Sequence, residues 1–156
     1  MDEMLVIREI RQEDIPDLAV AFQSWGKPEK LFAKYFEMHE EGLRFVVIGR
    51  FDKNIVGYCT ITWESFYEHF RREYIPEIVD LNIIEAYQGR GFAKKLILYA
   101  EKIIKQKGGH TSGISCLPSV EYSSPQQIYM RTGYEPDGFG ITDYDGEIHL
   151  IKKLSS

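Results

Sequence analysis

Along this chain, apolar residues recur every second position in some stretches and every third or fourth in others, and the switches of period predict the element order. Met4 to Ile10 is a short strand-like run. Ile15, Leu18, Ala19 and Phe22 then follow helical spacing, with Asp14 as the expected N-cap, Pro16 in the first turn and Gly26 as the stop. A second helix is expected from Pro28 to Glu41, with Leu31, Tyr35 and Met38 on one face and Gly42 ending it. Leu43 to Phe51 and Ile55 to Trp63 read as antiparallel strands around the turn Asp52-Lys53-Asn54. Glu64 to Pro76 has neither period but holds Phe66, Tyr67, Phe70 and Tyr74, and reads as a long functional loop.

Ile78 to Ile84 is expected to be the central strand, and its apolar character also suits plain burial on both faces of a sheet. The helix from Phe92 to Lys107 carries an apolar stripe of Phe92, Leu96, Ala100, Ile103 and Ile104, with Lys94, Lys95, Glu101, Lys102 and Lys105 toward water. After Gly108-Gly109, Thr111 to Leu117 is the next, parallel strand, which makes a right-handed β-α-β crossover. A short helix from about Ser124 to Arg131 and two strands flanking Asp145-Gly146 complete an α/β chain with a mixed sheet.

The chain has 156 residues, 44% hydrophobic and 28% charged, which predicts one soluble globular domain spanning 1–156. No apolar run is long enough to span a bilayer, and the acidic N-terminus has no targeting character. Cys59 and Cys116 lie in apolar strand patterns and read as reduced core residues, so a cytoplasmic location is expected. The net charge of -5 argues against a nucleic-acid partner and mildly favours a cationic one such as an amine. His39, His69, His110 and His149 show no metal-ligand spacing, so no metal site is expected.

The most informative run is Gln88-Gly89-Arg90-Gly91-Phe92-Ala93, between the central strand and the long helix. Two glycines let consecutive N–H groups turn toward one anion, and the helix behind them adds its positive end. A dinucleotide fingerprint would need a small residue at Lys94, so that reading fails. The spacing Gln-x-x-Gly-x-Ala instead resembles the acyl-CoA pyrophosphate loop of the GNAT superfamily of N-acetyltransferases. A second run, Ile128-Tyr129-Met130-Arg131-Thr132-Gly133-Tyr134, resembles that family's helix carrying Tyr and ending in a Gly-aromatic pair. The element order matches the family along nearly the whole chain.

The resemblance implies a GNAT fold in which the central strand and its parallel neighbour splay apart to admit the pantetheine arm of acetyl-CoA, the co-substrate. Backbone groups near Leu81, Ile83 and Ile84 would then grip that arm, Gln88, Gly89, Arg90, Gly91, Phe92 and Ala93 would hold the pyrophosphate, and Tyr129 would protonate the departing thiolate. The family often has an Asn seven residues before this Tyr; here Tyr122 stands there, leaving Ser123 or Ser124 to contact the cofactor. Glu77, eleven residues before Gln88, is the candidate base and Asp80 its competitor. Strand alternation would put these two acids on opposite faces of the sheet. Trp25, Phe66, Tyr67 and Glu68 are assigned to the amine site. The implied reaction is acetyl transfer to a primary amine, small-molecule or peptide, by direct attack in a ternary complex; the rival is a CoA-binding regulatory module without turnover. A membrane partner is not expected, and a homodimer stays open.

Overall fold

The computed structural model describes residues 4–155. Seven strands form one mixed sheet in the order β1 (Leu5–Glu9), β2 (Arg44–Phe51), β3 (Asn54–Thr62), β4 (Glu77–Ile83), β5 (Thr111–Cys116), β7 (Ile148–Lys153) and β6 (Glu135–Ile141). Neighbours are antiparallel except β4 and β5, which run parallel because helix α4 (Phe92–Gln106) carries the chain back between them. Asp52 and Lys53 both take positive φ in the β2–β3 turn, the backbone that suits the twist of a two-residue hairpin.

Helices α1 (Asp14–Ala21) and α2 (Glu29–Glu40) cover one face of the sheet. There Leu18 of α1, Phe22 just after it and Phe32 of α2 are buried against Val46, Ile48 and Tyr58, and the Phe22 and Phe32 rings meet Tyr58 edge-on at 5.0 and 5.5 Å. On the other face α4 buries Phe92, Leu96, Ile97, Ala100, Ile103 and Ile104 over Val47, Val56, Cys59 and Ile78. Truncating fully buried Leu96 to Ala would cost roughly 2–5 kcal/mol.

Two polar residues depart from the sequence-based expectation. Asp14 is the first residue of α1 rather than its cap; it is buried, accepts the Arg11 N–H at 2.7 Å and pairs with Arg8 and Arg50, each at 2.7 Å. Burial would raise its carboxyl, but the hydrogen bonds from Arg8 and Arg50 outweigh that and bring it down to about 2. Glu101, expected in water, is buried because β7 closes over that flank of α4, and it accepts Tyr134 Oη and Lys152 Nζ, each at 2.9 Å.

The segment expected to be a loop contains a short helix, α3 (Glu68–Arg72). Phe70 pins it: its ring lies over Gly113 of β5, where a Cβ would come within 2.3 Å of the ring. A last short helix, α5 (Pro125–Arg131), has Ser124 as its N-cap and Pro125 at its start, and sets Tyr129 in the core beneath α4.

Candidate active site

Strand β4 pairs with β5 only at Glu77–Gly113 and Ile78–Ile114, and beyond that point the strands separate. The cause is a bulge: Thr60 pairs with Val79 and Tyr58 with Asn82, so Asp80 and Leu81 share the space opposite Cys59. Asp80 sits at φ +54, a left-handed conformation that Asp tolerates better than most residues. The extra residue also resets the alternation of side chains. Glu77 and Asp80, expected on opposite faces, therefore line the same cavity.

A groove of about 700 Å³ follows the splayed end of β4 between α4 and α5. It brings together Leu81, Ile83, Gln88, Gly89, Gly91, Phe92 and Ala93 from the residues expected to hold the cofactor. Gly91, at φ +79, is the N-cap of α4 and offers no side chain, so the N–H groups of the first helical turn have no side-chain cap. Lys94 and Arg131 add two cations to the wall, and no carboxylate of the described residues joins them. The site therefore fits an extended ligand with an apolar arm and phosphates.

Four expected residues stand otherwise. Arg90 lies over the Tyr87 ring, its guanidinium 5.3 Å from the centroid, outside the groove lining. The Ile84 N–H already donates to Val56 O at 2.8 Å and is not free for a ligand. Ser124 is held as helix cap, its hydroxyl donating to Glu121 O at 2.7 Å, whereas Ser123 lines the groove beside Tyr122. Trp25, assigned to the amine site, lines this groove instead, held edge-on to Phe22 at 5.1 Å, because α1 ends beside the splayed strand.

A second cavity, about 410 Å³, lies on the α2 side of the sheet. Glu77 is at its base, only 5% exposed, with one carboxylate oxygen accepting Ser65 Oγ at 2.6 Å and the other Ser115 Oγ at 2.9 Å. Burial raises its carboxyl above the usual range and the two serine hydroxyls pull it back. Asp80 accepts the Tyr35 hydroxyl at 2.7 Å and faces Arg44 at 3.5 Å. Of the residues assigned to the amine site, Phe66 and Tyr67 line this cavity and Glu68 does not, because the turn of α3 points it outward to Arg72 at 3.3 Å.

The opposite wall comes from the last two strands and their turn, a region whose sequence carries no site signal. Tyr144, Asp145 and His149, from the β6–β7 connection and β7, face the aromatic segment across the cavity. The Tyr67 ring stacks on His149 at 3.5 Å and its hydroxyl donates to Asp137 at 2.6 Å. Burial lowers the His149 pKa, keeping the imidazole neutral. No local pattern marks His149, Ser65 or Ser115, whose partners lie far away in sequence.

The gap between β4 and β5 lies between groove and cavity and shares lining residues with each. A small connecting space there is lined by Asp80 and Ser115, which also line the acidic cavity, and by Leu81 and Tyr129, which also line the groove. Tyr129 is 8% exposed, and its hydroxyl has no hydrogen-bond partner among the described residues. Burial raises its pKa, and nearby Cys116 adds to the shift, so the phenol keeps its proton at neutral pH. The thiols of Cys116 and Cys59 are pushed up to about 11 and about 12 by burial and are inert as nucleophiles. Among the described residues no group of three or more His, Cys, Asp or Glu is arranged to hold a metal ion, and no helix is long and apolar enough to cross a membrane.

Solved structures share this architecture. PaiA N-acetyltransferase from Thermoplasma acidophilum, in complex with coenzyme A, superposes with a TM-score of 0.74 at 17% identity, over 97% of this chain and 99% of that one. YncA from Salmonella typhimurium, with its cofactor acetyl-CoA, gives 0.75 at 14% identity, over 97% and 95%. Ribosomal-protein-alanine N-acetyltransferase from Brucella melitensis gives 0.75 at 15% identity, over 96% and 99%. At these identities the likeness concerns the fold. No curated protein matches the sequence. The model of the acetyltransferase (GNAT) family matches residues 7–148, and with the splayed strands and glycine cradle in place, the chain belongs to the GNAT acetyltransferase family.

Proposed function

We propose that this protein transfers an acetyl group from acetyl-CoA to a primary amine, both bound at once on either side of the β4–β5 gap. The observation that carries this reading is the sequence of three spaces that share walls: a groove with a glycine-headed helix end and two cations, a gap walled by Tyr129, Asp80 and Glu147, and an acidic cavity. Two substrates entering from opposite ends would meet at the gap, which supplies the proximity that direct transfer needs.

Acetyl-CoA would supply an acetyl group activated as a thioester. The first-turn amides of α4, with Lys94, would hold its phosphates, and the β4 edge beyond Ile78, which has no strand partner on that side among the described residues, would bind the arm. An ammonium must lose a proton before it can attack. Glu77, its carboxyl raised by burial, takes that proton, with the Ser115 hydroxyl linking it to the gap. Asp80 is engaged by Tyr35 and Arg44 and serves as a wall charge. As the C–N bond forms and the C–S bond breaks, the Tyr129 hydroxyl gives its proton to the departing sulfur, and the proton shed by the new amide nitrogen restores the phenol, while Glu77 returns its own proton to water.

A screen of acetyl-CoA turnover across amine classes, following free thiol, tests this. Amine-dependent thiol release is expected. A folded protein that binds acetyl-CoA and releases no thiol with any amine would instead be a CoA-binding module.

A further inference from the structure

The acidic cavity carries more charge than one reacting amine requires. Glu64, Glu77, Asp80 and Asp145 line it, against a single cation, Arg44, and a neutral His149. Arg44 is itself engaged, its Nη1 donating to Thr60 at 2.8 Å and facing Asp80. The charges fall into two groups. Asp80 lines the gap and Glu77 is bonded to Ser115, which also lines it, whereas Glu64 and Asp145 are exposed at the rim. Asp145 is fixed in place there by the Thr142 hydroxyl and the Glu147 N–H. Between these rim acids the rings of Phe66 and Tyr144 meet edge-on at 6.1 Å although they are 85% and 62% exposed.

Exposed aromatic rings flanked by carboxylates are a cation-binding surface, combining cation–π attraction with charge-assisted hydrogen bonds. The inner wall gives independent evidence of a polar guest. His149, only 2% exposed, lines this cavity and buries Nδ1 with no hydrogen-bond partner among the described residues, and on a neutral imidazole whose Nε2 carries the proton that nitrogen accepts from a donor such as an ammonium. Buried polar atoms without partners are uncommon in a site designed to stay empty. A substrate carboxylate, by contrast, would enter against four like charges with one occupied guanidinium to receive it.

Resting on the amine-acetylation reading above, we infer that the acceptor is a dicationic or polycationic aliphatic amine. Its reacting nitrogen lies at the gap beside Ser115 and Asp80, and a second ammonium is held at the rim by Glu64 and Asp145 over the Phe66 and Tyr144 rings. The rim charge also steers such an acceptor into the cavity, so its capture is sensitive to salt.

The test compares diaminobutane and spermidine with butylamine and with an alanine-terminated neutral peptide as acceptors for the intact protein, reading kcat/KM from thiol release. The diamines are expected to exceed butylamine by at least about tenfold, the combined effect of a rim ion pair and a cation–π contact. In the double variant Glu64→Gln/Asp145→Asn, shown to melt like the parent, that ratio should fall toward one, chiefly through the KM of the diamine. Equal kcat/KM for butylamine and the diamines, preference for the peptide, or an unchanged ratio in the double variant overturns the inference. If no amine releases thiol, the acetylation reading fails by itself, and a calorimetric titration of spermidine then decides the cavity. Binding weakened about tenfold in the double variant would sustain the cation site, and absent or unaltered binding would remove it.

Discussion

On the proposed reading, the groove between α4 and α5 and the cavity across the β4–β5 gap take opposite charges by different means. One continuous stretch, Gln88 to Lys94, would supply the anion-binding end of the groove, through backbone amides exposed by Gly91. The cavity takes Arg44 from β2, Glu64, Phe66 and Tyr67 from the aromatic segment, Glu77, Val79 and Asp80 from β4, Ser115 from β5, and Tyr144, Asp145 and His149 from the β6–β7 connection and β7. Every chain presents N–H groups, so an anion site needs only a local backbone turn that gathers them. No backbone group carries a full negative charge, so a cation site here depends on side chains converging from several segments.

Gly91→Asp strikes the groove and should have the largest effect. A Cβ at this position meets nothing within 4 Å, so the fold survives with the modest strain of a left-handed Asp. A carboxylate now stands where phosphate approaches, and acetyl-CoA affinity should fall by about a hundredfold or more in a calorimetric titration. Unaltered affinity in the folded variant would mean that the backbone cradle is not what recognises the anion.

Tyr129→Phe acts where the two regions meet. The ring keeps its packing, so acetyl-CoA affinity should hold while turnover drops roughly tenfold to a thousandfold. An unchanged rate, with the chemical step shown to be limiting, would leave Tyr129 as a packing residue.

Glu77→Gln belongs to the cavity alone. It should lower kcat/KM for amines by roughly tenfold or more and remove the acid limb of the pH profile, with acetyl-CoA binding intact. The sign of its effect on stability follows from the raised carboxyl. The buried acid favours its neutral form, so its contribution is fully present below the unfolded-state pKa and is lost as pH rises through the folded one. The Gln variant should therefore melt no lower than the parent at neutral pH, and compare less favourably in acid. A clear destabilisation at neutral pH would show that the two serine bonds outweigh desolvation.

Glu68→Gln should do least. Its side chain is 63% exposed and pairs with Arg72 one helical turn away, an interaction worth about 0.3–0.5 kcal/mol. Acceptor KM should stay within about twofold. A larger rise would bring Glu68 into the cavity and require α3 to move.

Much of the fold could be read from residues alone because the signals are local. The Asp52-Lys53 turn, the apolar stripe of α4 and the Ser124-Pro125 start of α5 each act within a few residues. Errors arose where a distant partner overrode a local pattern. Glu101 looked solvent-facing on its helix until Lys152 and Tyr134 closed over it, and Asp14 looked like a cap until Arg8 and Arg50 claimed it. Trp25 had no local signal that could place it beside the groove rather than the cavity.

The amino-acid order by itself determined the strand and helix succession, the glycine cradle at the head of α4 and the position of Tyr129 on α5, since each depends on backbone preferences spanning at most a few turns. Only the tertiary structure decided that Asp80 and Glu77 share a cavity, because a bulge opposite Cys59 shifts the alternation by one residue. It alone also decided that Glu64 rather than Glu68 meets Asp145 and Tyr144 across that cavity. Register and long-range convergence are set by the packing of whole layers, and a one-residue slip reverses every side chain beyond it.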